Sequence, residues 1–216
     1  KWDTKFSFSM NKNKVLNLGG GTDIYIGTSK PMGNVSEESF SVIREGEPLG
    51  SLFGYQYIGV LQTGETYAPQ PNSKPGDPKF ADVSGPNGVP DGKITSADRT
   101  IIGRAYPKAV FGLTNTFSYK NFDLTNFWYA ALGQDVLNMN NMNLEWNRTT
   151  DALDRWTTTN TDTDIPRNGF YYSKYGGYTN THFIESASFL RMKTLTLGYT
   201  LPSKSKYLQS LRVYFM

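Results

Sequence analysis

The sequence predicts an all-β fold, an antiparallel segment of a transmembrane β-barrel with long connecting loops. Clean apolar and polar alternation recurs in separated stretches of the chain. The 14 Tyr, 13 Phe, 4 Trp and 21 Gly suit aromatic-rich strands with frequent turns. Connections fall into two classes, a very short turn at Lys120-Asn121 and loops of several tens of residues elsewhere, whereas a soluble sandwich joins its strands more uniformly. No apolar run approaches the ~18 residues of a membrane-spanning helix. A mean hydropathy of −0.50 fits spanning strands too, because each shows only about 10 residues of alternation.

Taken in order, the first strand covers residues 2 to 10, with Trp2, Thr4, Phe6, Phe8 and Met10 on one face and Asp3, Lys5, Ser7 and Ser9 on the other. Gly19 to Gly21 break the pattern before a short apolar run at Ile24 to Ile26, and a further strand is expected at Ser39 to Arg44. Gly46 to Gln62 reads as a bent strand whose glycines allow kinks or bulges. Residues 63 to 108 form a long loop. The clearest hairpin follows: Phe111, Leu113, Phe117 and Tyr119 share a face, the chain turns at Lys120-Asn121, and Phe122, Leu124, Trp128, Ala130 and Leu132 resume. A second long loop, 134 to 182, contains a short helix near Asp151 to Trp156. Ser188 to Thr200 is a strand with Phe189, Leu195, Leu197 and Tyr199 opposed to Ser188, Thr194, Thr196 and Gly198, and Leu211 to Met216 begins another.

Composition excludes several functions. A net charge of +3 spread without a Lys/Arg block gives no clustered basic face for nucleic acid. With no cysteine there is no disulfide framework, thiolate nucleophile or Cys-ligated zinc. His182 is the only histidine and has no nucleophile elbow near it. Asp162, Asp164 and Glu185 could pair as glycosidase carboxylates only at a separation that sequence does not give. Gly19 to Gly21 lack the Lys-Ser/Thr ending of a phosphate loop. The chain reads as a non-enzyme that requires no cofactor.

Two groups of residues are candidate sites. Asp91, Gly92, Ile94 and Asp98 have the spacing of the second half of an EF-hand-like loop, whereas Asp82 and Ser84 lie too early, with Gly85 to Val89 inserted. Asp82, Ser84, Asp91 and Asp98 are therefore candidate calcium ligands, if the chain bends back. The other reading is an Asp/Gly turn held by side-chain to backbone hydrogen bonds. Trp146, Arg155, Trp156, Tyr171, Tyr172, Tyr175 and Tyr178 form either a surface facing substrate or partner, or loop packing; packing is favoured, because loop aromatics bury one another. Trp2, Phe6, Phe8, Phe122 and Trp128 are read as facing lipid or its interface.

Six blocks carry a family likeness: GEPLGSLFGYQYIGVLQ, PGDPKF, DGKITSADRTIIG, FGLTNTFSYKNFDLTNFWYAALGQDV, RWTTTNTDTDIPR and FIESASFLRMKTLTLGYTLP. In this order they resemble the carboxy-terminal part of SusC/RagA-type TonB-linked outer-membrane transporters. The resemblance implies one part, residues 1 to 216, of a barrel of roughly 22 strands, with an amino-terminal plug and a TonB-contacting segment outside this chain. It further implies a Gram-negative, Bacteroidota-type outer membrane and energy from the TonB complex. A SusD-like surface lipoprotein would act as lid, glycan or peptide would be the cargo, and 63 to 108 and 134 to 182 would be extracellular loops. A start at Lys1 and an end within LRVYFM read as an excerpt, about seven or eight strands that expose unpaired edges in water. The rival reading is a soluble, calcium-stabilised β-rich domain that binds carbohydrate or acts as an adhesin.

Overall fold

A computed structural model describes residues 1–27, 39–144, 150–168, 178–202 and 210–216. Its strands are β1 (Trp2–Met10), β2 (Ile24–Ile26), β3 (Ser41–Ile43), β4 (Ser51–Gly54), β5 (Tyr57–Val60), β6 (Pro78–Phe80), β7 (Thr100–Arg104), β8 (Ala109–Tyr119), β9 (Phe122–Leu132), β10 (Asp135–Leu137), β11 (Ile184–Ser186), β12 (Phe189–Leu201) and β13 (Leu211–Phe215). One short helix, α1 (Met139–Leu144), lies among them. The helix expected near Asp151 is a 3-10 turn at Thr150–Asp154.

The chain divides into two compact units, one of Lys1–Lys12, Tyr106–Gln134 and Ser186–Met216, the other of Asn13–Ala105 and Asp135–Glu185. The first unit is a five-stranded antiparallel sheet in the order β1-β8-β9-β12-β13. Tyr119 pairs with Phe122, so Lys120 and Asn121 make the whole connection between β8 and β9. Lys120 takes a left-handed φ of 53°, and the Asn121 carbonyl accepts from the Thr200 amide. Met10 pairs with Ala109, and Ala109 with Leu132. Residues 11–108 and 133–188 therefore leave the sheet from the end opposite that tight turn.

Register fixes the faces. Trp2 opposes Phe117, Phe6 opposes Leu113, Phe8 opposes Phe111, and Leu113 opposes Trp128. These residues thus share one side, as the alternation predicts. The same side carries Leu190, Met192, Leu195, Leu197, Tyr199, Val213 and Phe215. It is open: Trp2 is 70% exposed, Phe6 64% and Phe215 80%. Covering one such side chain is worth roughly 1.5–3 kcal/mol. Leaving a dozen in water forgoes a contribution larger than the ~5–15 kcal/mol that keeps a domain folded. Lipid covers such a face; a sandwich, whose inner faces cover each other, does not leave it bare.

Three expectations need correction. First, Phe189 does not share a face with Leu195. Met192 pairs with Trp128 and Thr194 with Phe127, so Lys193 is an extra residue, a β-bulge that reverses the alternation. Second, residues 46 to 62 are not one bent strand. They form β4 and β5, which belong to different small sheets, β2-β3-β4-β7 and β5-β6. The buried run Ser51–Gly54 needs cover on both faces, which a lipid-exposed barrel strand lacks. Third, the first long excursion begins after β1 rather than at residue 63, because among the described residues the strands β2 to β7 pair only with one another. Five strands rather than seven or eight thus build the apolar-faced sheet.

The second unit has its own core of Tyr55, Phe80 and Ile94, with Tyr57 and Tyr178 against it. Residues 178–183 are threaded beside β4: the Tyr55 amide donates to the Thr179 carbonyl (2.8 Å) and the Thr181 amide to the Tyr55 carbonyl (3.0 Å). Gly54 makes this approach available, since a Cβ there would stand 2.2 Å from the Thr179 oxygen.

Candidate functional site

The acidic loop folds back as its carboxylates require. Asp98 is fully buried (0% exposed) and follows Thr95, which caps the 3-10 turn Ser96–Asp98. Its Oδ1 accepts from the amides of Val83 (3.0 Å) and Ser84 (3.2 Å), and its Oδ2 from the amide (2.7 Å) and hydroxyl (3.4 Å) of Thr95. Asp82 accepts from the amides of Asp91 (3.3 Å) and Gly92 (2.6 Å), and Asp91 from that of Lys93 (3.0 Å). Asp82 thus closes the inserted GPNGV against Asp91, and Asp98 ties down Val83 and Ser84. The four candidate positions thus meet in two pairs, Asp82 with Asp91 and Ser84 with Asp98, each joined through an amide donor. Each Asp98 oxygen already holds two donors, its ordinary capacity. Among the described residues no group of three or more His, Asp or Glu side chains is arranged around a common point.

The aromatic candidates divide. Trp146, Tyr171, Tyr172 and Tyr175 lie outside the described residues. Trp156 is 6% exposed; its indole N–H donates to Gln62 Oε1 (3.0 Å), and its ring lies against Gly76. Arg155 donates to the Ala152 carbonyl (2.9 Å), and Tyr178 stacks on Tyr55 with centroids 4.3 Å apart. These three act as packing and capping groups. Beside Trp156, buried Asp77 accepts from Arg167 Nε (2.8 Å) and from the Lys74 amide (2.8 Å), which joins residues 74–78 to 156–167. His182 packs against the Tyr57 and Phe183 rings, with Nδ1 3.9 Å from Asp164.

Electrostatic shifts in this unit have local causes. The Lys79 ammonium, with the Gln62 amide, holds the Glu65 carboxyl below the usual range. Desolvation raises Tyr67, whose hydroxyl donates to the Phe80 carbonyl (2.8 Å). A hydrogen bond to Asp23 raises Arg44, whose guanidinium lies 5.0 Å from the Phe53 ring centroid, with that of Arg99 4.6 Å from the same centroid.

Sequence reasoning missed two features of the sheet. A polar row crosses the apolar face: Thr4 Oγ1 donates to Asn115 Oδ1 (2.8 Å), Asn115 Nδ2 to Asn126 Oδ1 (3.3 Å), and the Trp128 indole to Asn126 Oδ1 (3.1 Å). The signal was present, since Thr4, Asn115 and Asn126 are polar at apolar positions of their strands. On the other face Arg212 grips Asp123 (3.0 and 2.5 Å) across β12. Gly198 makes room, because a Cβ there would lie 2.5–2.7 Å from both charged groups.

No known family profile matches the chain. It is 36% identical over 99% of its length to the TonB-dependent receptor P3 of Formosa agariphila, of which it covers 21%. It is 27% identical over 92% of its length to the TonB-dependent receptor SusC of Bacteroides thetaiotaomicron, of which it covers 18%. The structure of the RagAB peptide transporter superposes with a TM-score of 0.73 at 23% identity, over 99% of this chain and 22% of that one, and supports the fold. The chain spans about a fifth of the length of the curated relatives it matches. Similar in sequence to these receptors from end to end, and carrying the exposed apolar sheet face of a membrane barrel, the chain belongs to the SusC/RagA-like TonB-dependent receptors.

Proposed function

We propose that this chain is a stretch of barrel wall, with its mouth loops, in an outer-membrane importer that TonB energises and that moves oligosaccharides or peptides with a SusD-like lipoprotein. The observation that carries this reading is the asymmetry of the sheet. Its apolar face is open, and both long excursions leave from the end opposite the Lys120-Asn121 turn. Short turns at the periplasmic end and long loops outside are the arrangement of outer-membrane barrels. The excursions, which include 63 to 108 and 134 to 182, then form the extracellular mouth and meet lid or cargo. The names of the relatives speak for receptors rather than enzymes, and RagAB is a peptide transporter by name.

The acidic loop serves this function by holding shape. The Asp98 oxygens are taken by the donors of Val83, Ser84 and Thr95, and Asp82 closes on two amides, which supports a loop that stands without an ion. The function is tested in the whole receptor. Deleting its TonB-contacting segment is expected to abolish cargo uptake while the amount of barrel in the outer membrane stays the same; unchanged uptake contradicts the reading. Trypsin should cut 63 to 108 and 134 to 182 in the receptor alone and spare them when the SusD-like lipoprotein is bound. Equal cutting in both states removes the lid from the account.

A further inference from the structure

We propose that Tyr129, Phe189, Arg191 and Lys193 form an anion-accepting station on the inner face of the barrel wall, suited to a carboxylate-bearing cargo. This rests on the importer reading and adds to it the chemical class of what is carried. Tyr129 of β9 and Phe189 and Arg191 of β12 lie on the face opposite the open apolar one, and the bulge residue Lys193 reaches the same face, over the Tyr129 ring. The Arg191 guanidinium sits 4.2 Å from the Phe189 centroid and Lys193 Nζ 4.4 Å from the Tyr129 centroid. The two rings are themselves 5.7 Å apart. A ring holds a cation by its face and orders a long side chain without using its N–H donors. The guanidinium edge is then free to take both oxygens of a carboxylate.

Charge and position support this use. Arg191 and Lys193 are exposed, and neither pairs with a carboxylate among the described residues. The inner-face carboxylates there are Asp3, out on β1, and Asp123, already held by Arg212. That closed pair lies toward the tight-turn end of the sheet, because Asp123 follows Phe122 directly. Arg191, opposite Tyr129, lies toward the other end, where Phe189 opposes Ala131 and the long excursions leave, and Lys193 stands next to it near the middle of the strand. Unpaired positive charge thus stands at the entrance and neutralised charge beyond it, the order expected when the partner arrives from the mouth.

The bulge is an independent sign. Deleting Lys193 in thought leaves Met192 opposite Trp128 and Thr194 opposite Phe127 in a regular ladder. The extra residue is therefore not needed for register. It breaks the ladder locally and in return sets a second cation beside Arg191, and bulges do re-aim side chains next to functional sites. A neutral sugar would gain little for desolvating these cations. An acidic side chain of the receptor's own plug would satisfy them equally well, and the test separates the two.

The test is equilibrium binding of trigalacturonate and of maltotriose to the purified whole receptor in detergent, with correct folding checked by heat-modifiable mobility. Trigalacturonate is expected to bind, more weakly as salt rises. R191Q/K193Q should weaken it by about tenfold or more, R191K/K193R should restore most of the loss, and Y129A/F189A, which keeps both charges, should weaken it several-fold. Maltotriose binding should be the same in all forms. The station is overturned if trigalacturonate does not bind, or binds R191Q/K193Q as tightly as the parent. New tryptic cleavage of the plug in R191Q/K193Q with unchanged trimer binding assigns the cations to the plug instead. Uptake by cells is read separately: a receptor that binds the trimer through these residues yet imports nothing with TonB loses the importer reading and keeps the station.

Discussion

Asp98 shows what the acidic loop does. Replacing it with alanine strands the half-buried donors of Val83, Ser84 and Thr95, at up to roughly 1–3 kcal/mol for each group left unpaired. Even partial relaxation should cut the hydrogen-exchange protection of these amides in the whole receptor on the order of a hundredfold. Millimolar calcium should leave the same amides of the parent protein unchanged, since the oxygens are already occupied. Calcium-dependent slowing of their exchange would restore the cation reading. Spacing in the sequence showed that carboxylates and glycines were set for a tight loop. It could not show which donors they meet, because an amide and a cation ask for the same oxygens. Gly198 makes a second case at this scale. G198V should part Asp123 from Arg212 and lower the temperature at which the receptor unfolds. Adding D123N should then lower it little further, because the pair is already lost. Additive losses would mean that the pair survives above the larger side chain.

Among the elements, β12 carries the sharpest prediction. Deleting Lys193 is expected to leave a folded, heat-modifiable barrel, since every neighbour keeps its partner and face. Deleting Thr196 should abolish folding, because it slips the register by one residue and exchanges the two faces of the strand beyond it. Equal tolerance of both deletions would show that the bulge is not where the pairing puts it. The bulge was legible in principle: Leu190 and Met192 are apolar at even positions, then Leu195, Leu197 and Tyr199 at odd ones. Only an extra residue keeps both sets on one side of a sheet. The β8 to β9 hairpin was legible outright, because its two sides alternate without interruption about a two-residue turn. The short strands β2 to β7 were not, since three to five residues carry no period that separates a barrel strand from a small separate sheet.

For the molecule as a whole, the likeness of several ordered blocks to one receptor family carried the class, and the open apolar face supplies the physical reason for it. Among the described residues no further strand pairs with the outer edges of β1 and β13. The isolated chain in water is therefore expected to aggregate. A monodisperse sample without detergent that melts sharply and reversibly would contradict that. The account depends most on which face of β8 meets lipid. Because this chain contains no cysteine, single cysteines can mark it residue by residue in a whole receptor whose other cysteines, where present, are replaced by serine. With nitroxide labels at positions 111 to 117 in bilayers, accessibility to oxygen should peak at Phe111, Leu113 and Phe117. Accessibility to a water-soluble nickel chelate should peak at Gly112, Thr114 and Thr116, in a period of two residues. The same accessibility at every position, or the opposite phase, would contradict the account.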